Sequence, residues 1–424
     1  MTGRFASVTV KGERGDYAVA VCGDFAKSLK PKEGVRTRKI ESIVLRMCAD
    51  MSYNKACSYI NELTHKDNGL KKNTECEHVT SVGRRMFQEV EQNTADVLVE
   101  HGFNPETGLP EPGSMPSSCA VVPPVIPPSR VPEERWEYIE RYNARVAKSR
   151  DHRFMIKDTA KILAVEESAE NQVLCSLDGV LHPHQKEKRS RGSKRDVERV
   201  ELQVGHVSTG GKCRVLMSNS LKGLFLQVIA LMLHHGLLDG RRLLFITDGA
   251  KCLRKGIHDF FPYRLDKVVI LDWFHLIKRI MELVSMTFKG TKEAKLAIRN
   301  NLARMLWVGN VGDAIRYVED FPEERIKNVK KRDELVNYLK DRDSQIPCYA
   351  LRKRFGLPIS STAVEKANDE VVSIREKGRG MSFTRHGGCE LAQVRVCMIN
   401  GEIDSWLKTG KLGWEMHDFV QKAA

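Results

Sequence analysis

Two aspartates occupy matching positions in the chain. Residues 172–177 are a short apolar run with β character that ends on Asp178-Gly179, and the strongly apolar run 243–247 ends on Asp248-Gly249. Carboxylates at the ends of two neighbouring strands face one another. Hard cations such as Mg2+ prefer oxygen ligands, and a third carboxylate from a late helix would complete a cage that leaves positions open for water or substrate. Two such ions about 4 Å apart can activate the attacking oxygen and stabilise the leaving one in an in-line phosphoryl displacement. That chemistry cuts or joins nucleic-acid backbones. Asp-Gly is also a common turn, so the reading depends on the elements that carry the pair.

Those elements follow from periodicity. Residues 197–207 and 212–217 read as strands joined by the Gly210-Gly211 turn, so with the first run they form an antiparallel meander. A helix over 221–235, the buried-type strand 243–247, another helix and a strand over 267–271 follow. The order β-β-β-α-β-α-β-α predicts an α/β fold, a ribonuclease H-like mixed sheet whose first and fourth strands lie side by side at the centre. The stretch from Asp248 to Glu365 is far longer than one strand and one helix require. Residues 276–350 show helical periodicity throughout and are expected to form an all-helical insertion.

Residues 360–395 read SSTAVEKANDEVVSIREKGRGMSFTRHGGCELAQVR. This stretch resembles the Asp-Asp-Glu (DDE) transposases of bacterial insertion sequences, in the Mutator-related group with a helical insertion. There a Ser-rich turn precedes a helix bearing Val-Glu, then a basic stretch, a Gly-Met-x-Trp segment, and a glycine pair leading to a helix that ends in Leu-x-x-x-Arg. The matching residues are Ser360, Ser361, Val364, Glu365, Arg375, Lys377, Gly380, Met381, Gly387, Gly388, Leu391 and Arg395. The resemblance implies that Glu365 is the third catalytic carboxylate, holding Mg2+ with Asp178 and Asp248, with Mn2+ as substitute and two ions in all. Phe383 stands where the pattern has Trp. Asp369, at i+4 from Glu365, shares its helix face, whereas Glu370 and Glu376 point elsewhere if Glu365 points inward.

Asp272-Trp273-Phe274-His275 resembles the Asp-x-x-His signature after the fifth strand of such enzymes, which would place Asp272 and His275 near the site. Alternatively, Asp272 simply caps the helix that starts there. Leu306-Trp307-x-Gly309 resembles part of the group's helical insertion; Trp307 would either stack on an exposed base or belong to the core.

Around this centre the chain divides into a short β hairpin region (1–34), a helix-turn-helix-like DNA-binding domain (35–103), a Pro-rich linker (104–133) and the catalytic domain (134–424). In the second of these, Ile40, Ile43, Val44 and Met47 form one apolar stripe and Ala56, Tyr59, Ile60 and Leu63 another, with Ser52 as a helix cap. A third helix from about Thr80 would carry Arg84 and Arg85 in its first turns, facing DNA; a plain helical bundle is the alternative. Between the first two strands of the sheet, Lys186, Lys188, Arg189, Arg191, Lys194, Arg195 and Arg199 form a cationic loop suited to gripping phosphates, and Arg375, Lys377, Arg379 and Arg385 extend that sign past Glu365.

Lysine plus arginine outnumber aspartate plus glutamate, 69 to 55, for a net charge of +14. That balance suits a polyanionic partner. The eleven cysteines form no Cys-x-x-Cys pair, and no apolar run is long enough for a membrane helix or a signal peptide. A cytoplasmic, nucleoid-associated protein with reduced thiols is expected. The resemblance implies cleavage and strand transfer at the terminal inverted repeats of a mobile element, with double-stranded DNA as partner and a homodimer or larger assembly holding both ends. A nuclease that cuts without transposing and a catalytically silent DNA-binding regulator are the alternatives.

Overall fold

The computed structural model describes residues 6–12, 15–21, 37–65, 69–114, 131–148, 151–165, 172–183, 199–377 and 383–418. The basic residues Lys186, Lys188, Arg189, Arg191, Lys194, Arg195 and Arg379 lie outside them, as does most of the Pro-rich stretch. Near the N-terminus, β1 (Ala6–Gly12) and β2 (Gly15–Val21) pair antiparallel as the expected hairpin.

The main sheet contains β3 (Gln172–Pro183), β4 (Arg199–Thr209), β5 (Lys212–Ser218), β6 (Arg242–Thr247), β7 (Val268–Leu271) and the short edge strand β8 (His417–Asp418). Its order is β7-β6-β3-β4-β5-β8. β3, β4 and β5 form the antiparallel meander, while β6 and β7 add in parallel on the other side of β3. This mixed α/β arrangement is consistent with a ribonuclease H-like fold. Gly210 and Gly211, at φ +55° and +79°, turn β4 into β5 through the left-handed region that side chains disfavour. One expectation fails in detail: β3 does not end at Asp178 but continues to Pro183, because Val180 and Leu202 bury against the late helices and extend the β3–β4 pairing.

The described α-helices are, in chain order, α1 (Arg38–Asp50), α2 (Tyr53–Leu63), α3 (Lys72–Glu100), α4 (Glu133–Ala147), α5 (Thr159–Leu163), α6 (Leu221–His234), α7 (Lys251–Phe260), α8 (Trp273–Thr287), α9 (Lys292–Trp307), α10 (Val311–Glu319), α11 (Val329–Lys340), α12 (Tyr349–Arg354), α13 (Thr362–Asn368), α14 (Ile374–Glu376) and α15 (Arg385–Ile399). A final helix, α16 (Ile403–Thr409), follows. Strand β6 is apolar from Leu243 to Ile246 because both faces are covered: Leu243 and Phe245 pack with α6 and α7, and Leu244 and Ile246 with α8 and the helices after it. Helix α6 is buried over most of its circumference, and Ser220 caps it by accepting from the Gly223 amide at 3.1 Å.

Helices α1 to α3 form, but not with the faces or boundaries expected. Ser52 caps α2, accepting from the Lys55 amide at 3.4 Å. Val44, Leu45, Cys48, Ala49, Ala56 and Ile60 are buried, whereas Ile40, Ile43, Tyr59 and Leu63 are exposed. The buried face looks onto Leu391, Val394, Cys397, Ile403 and Trp406 of α15 and α16, a surface that local periodicity does not reveal. Arg84 and Arg85 stand in the middle of the 29-residue α3, not in the first turns of a shorter helix. Both are exposed, and Arg84 Nε donates to Glu390 of α15 at 2.7 Å. Gly83 permits that crossing, since a Cβ there would lie 2.1 Å from the Glu390 carbonyl oxygen. The start of the Pro-rich stretch is also packed: Phe103 is buried and bridges to Pro110, and Glu106 pairs with Lys222 of α6 at 2.8 Å. No described helix is long and apolar enough to cross a membrane.

Candidate active site

β3 and β6 run parallel with Ser176 beside Ile246. Asp178 and Asp248 each lie two residues further along, near enough for the Asp248 charge to act on Asp178. Gly249, at φ +85°, makes the tight turn after β6, and Asp248 Oδ1 accepts from the Ala250 amide at 2.7 Å. Asp178 Oδ1 accepts from the Gly179 amide at 2.8 Å, and its Oδ2 from Asn368 Nδ2 at 2.7 Å. Burial, then the Asp248 charge, push the Asp178 carboxyl above its ordinary range, against the pull of Gly179, His275 and Asn368. Two carboxylates held close at this cost in repulsion suit a cation.

The next strand brings a second group alongside. Asp272 follows β7, is fully buried, and caps α8: its Oδ1 accepts from the His275 amide at 2.8 Å. Its Oδ2 accepts from the Ser361 amide at 2.5 Å and the Ser361 hydroxyl at 3.0 Å. Thus the Ser-rich turn is stapled to the end of β7, and the staple sets where α13, and Glu365 on it, begins. Burial opposes ionisation of Asp272, but the bonds from His275 and Ser361 outweigh it and hold the carboxyl below its usual range. His275 Nδ1 lies 3.3 Å from Asp272 Oδ1 and 3.7 Å from Glu365 Oε1. The Asp272 hydrogen bond raises the imidazole's proton affinity against partial burial, with the Asp272, Glu365 and Asp248 charges adding to it.

Asp272, His275 and Glu365 offer ligand atoms within 4.8 Å of one another, a spacing that a metal ion could use. The hydrogen bonds favour a different reading of that trio. Asp272 already accepts three donors, so it serves as a staple, with the His275 ring lying between it and Glu365. The expected trio of Asp178, Asp248 and Glu365 does not reach that spacing among the described residues; Glu365, whose side chain is about half exposed, lies nearer His275.

A groove of ≈ 630 Å³ runs from Asp178 and Glu365 past Asn368 and Asp369 to Arg199 and Lys377. Lys377 is exposed there, in keeping with a phosphate contact. Arg375, expected beside it, is buried: its Nε donates to the Cys48 carbonyl at 3.3 Å, and its guanidinium packs between the rings of Tyr53 and Phe383. It is a structural cation, not a DNA contact, because its helix turns it toward α1. Trp307 packs edge-on against Trp273, with ring centroids 4.8 Å apart, and lies nearly parallel to Tyr349. It supports the start of α8 from below and has the packing of a core residue. Glu376 lies away from the site, fully buried with its Oε2 3.3 Å from His182 Nδ1.

Two groups escaped the sequence reading: Asn368, which meets Asp178, and the buried His182–Glu376 pair. Asn368 had a signal, its i+3 spacing from Glu365. The pair joins residues nearly two hundred positions apart and had none.

No protein-family profile matches the chain, and no curated protein matches it. Among solved structures, the Drosophila P element transposase strand transfer complex is similar at 14% identity with a TM-score of 0.21, covering 85% of this chain and 87% of that one. A likeness this slight carries no weight for fold or function.

Proposed function

We propose that this protein is a transposase that performs metal-dependent cleavage and strand transfer at the ends of a mobile DNA element. The observation that carries the reading is the parallel β3–β6 register, which pairs Ser176 with Ile246, two residues before Asp178 and Asp248, while Glu365 lines the same groove as Asp178. These three carboxylates would hold Mg2+, or Mn2+ in its place. When bound, the ions supply activation of the attacking oxygen and stabilisation of charge on the leaving one. The chain itself orients the site. Asn368 and the Gly179 amide hold Asp178, Ser361 anchors the helix of Glu365 through Asp272, and His275 restrains the Glu365 carboxylate. Arg199 and Lys377 line the groove leading away from the acids, where they can neutralise a DNA backbone. The resemblance in residues 360–395 to DDE transposases supports transposition over simple cutting. On the same reading, the helices after β7 are the insertion, and two or more copies hold the paired ends.

The test is nicking of the DNA that flanks the gene by purified full-length protein in Mg2+ or Mn2+, beside Asp178→Ala, Asp248→Ala and Glu365→Ala. Cleavage at inverted-repeat ends is expected, with joining of the 3′ ends to target DNA, and each substitution abolishes both. Cutting without joining identifies a nuclease, and binding with no cutting in any metal overturns the enzymatic reading.

A further inference from the structure

We infer that Asn368 is a positioning residue for Asp178, locking that carboxylate in the orientation that takes a divalent cation. The inference rests on the metal-site reading above and adds a residue that the resemblance does not assign. Asn368 closes α13, three residues after Glu365 and on the same face, and is 7% exposed. Its Nδ2 donates to Asp178 Oδ2 at 2.7 Å while the Gly179 amide donates to Oδ1 at 2.8 Å. Each Asp178 oxygen therefore receives one donor and retains lone-pair capacity for a cation. The amide's orientation is dictated by charge, since its own oxygen turned toward an ionised carboxylate would be repelled.

Other roles explain this residue poorly. Asparagine is a weak helix former, and a polar side chain beside Val364 and Ala367 is costly unless it is hydrogen-bonded. The Asn368 Oδ1 is buried and accepts no hydrogen bond among the described residues, so the Asp178 contact is what the amide does here. A π-helical turn, Asp369–Ser373, begins at the next residue. Such turns shift the phase of a helix and recur at functional sites. One short helix thus delivers the third carboxylate and, one turn on, the donor that steadies the first.

The test is Mn2+ binding to the full chain, followed by the electron paramagnetic resonance signal of free Mn2+, for wild type, Asn368→Ala, Asn368→Leu and Asp178→Ala. Leucine keeps the branched shape of asparagine, with somewhat greater volume, and lacks its donor. Both Asn368 variants are expected to bind Mn2+ about ten-fold more weakly, the usual effect of losing a partner that orients a ligand. In nicking assays they should need correspondingly more metal while approaching the wild-type rate at saturation. Melting in EDTA checks that each variant is folded, and the leucine variant keeps the question open should alanine unfold. Wild-type affinity in both variants, or its recovery by leucine alone, overturns the inference, leaving a packing role. If wild type itself binds no more tightly than Asp178→Ala, the metal-site reading fails and this inference with it. Loss in Asp178→Ala alone defeats only the Asn368 role.

Discussion

Asp178 is held where its charge is uncomfortable. Burial and the neighbouring Asp248 both work against its ionised form, while Asn368 and the Gly179 amide hold it in place. A site arranged for a cation stores this kind of repulsion and gives up stability to do so. Asp178→Asn removes the charge and can still accept the Asn368 bond, giving up the one from the Gly179 amide. Its melting temperature in EDTA should rise by roughly 2 °C, whereas metal-dependent nicking should vanish. A fall in melting temperature would mean that the carboxylate stabilises the metal-free fold. At this scale the sequence offered candidates: Asp178 and Asp248 from Asp-Gly after apolar runs, and Glu365 from resemblance. It was uninformative about orientation. Arg375 and Trp307 were legible as residue types, yet one is buried under α1 and the other packed against Trp273, because side-chain direction depends on what lies across the interface.

Between elements, the buried His182–Glu376 contact joins the extension of β3 to α14, beside the groove that Asp178 and Glu365 also line. Gly388 makes room for it, since a Cβ there would lie 2.5 Å from His182 Cε1 and 3.1 Å from Glu376 Oε2. The glycine pair that the sequence offered only as a motif therefore has a steric reason. Burial pushes the Glu376 carboxyl well above its ordinary range despite the opposing charges of Arg375, Arg395 and Lys377. The folded chain thus holds this proton more tightly than the unfolded chain, and the stability tied to it declines as pH rises above about 4.3, the free glutamate value. Glu376→Gln should flatten that decline and gain relative to wild type toward neutral pH. Urea midpoints measured for both proteins across this range would show it; parallel curves would mean that Glu376 does not titrate differently in the folded state.

At the scale of the whole molecule, the N-terminal helices are bound to the end of the chain. Arg375 and Arg395 donate to the Cys48 and Ala49 carbonyls in the last turn of α1, which a helix leaves without partners of its own. Arg395 also reaches the Glu370 carbonyl at 2.6 Å and Asp50 at 3.1 Å. Arg395→Ala should therefore cost about 3 kcal/mol, since it leaves buried carbonyls unpaired and removes charge-assisted bonds. A chain beginning at residue 104 should fail to fold alone, because it exposes the apolar face of α15 and α16 and strands both arginines. Denaturation of Arg395→Ala and the solubility of the shortened chain check the two statements. A soluble, cooperatively melting fragment would show that the N-terminal helices are an independent unit.

The amino-acid sequence by itself determined the alternation of strands and helices, an Asp-Gly pair after the apolar run of each of two central strands, and the basic character of the chain. Each is written in local periodicity, turn residues or composition. The tertiary structure alone decided that β3 runs on past Asp178, that α1 and α2 bury Val44, Ala56 and Ile60 of the expected stripes but leave Ile40, Ile43, Tyr59 and Leu63 exposed, that Asn368 faces Asp178, and that two conspicuous arginines support the fold. These outcomes depend on contacts between residues far apart in the chain. Whether a side chain is a ligand, a staple or a cap is settled by the surface that packs against it, and no local pattern encodes that surface.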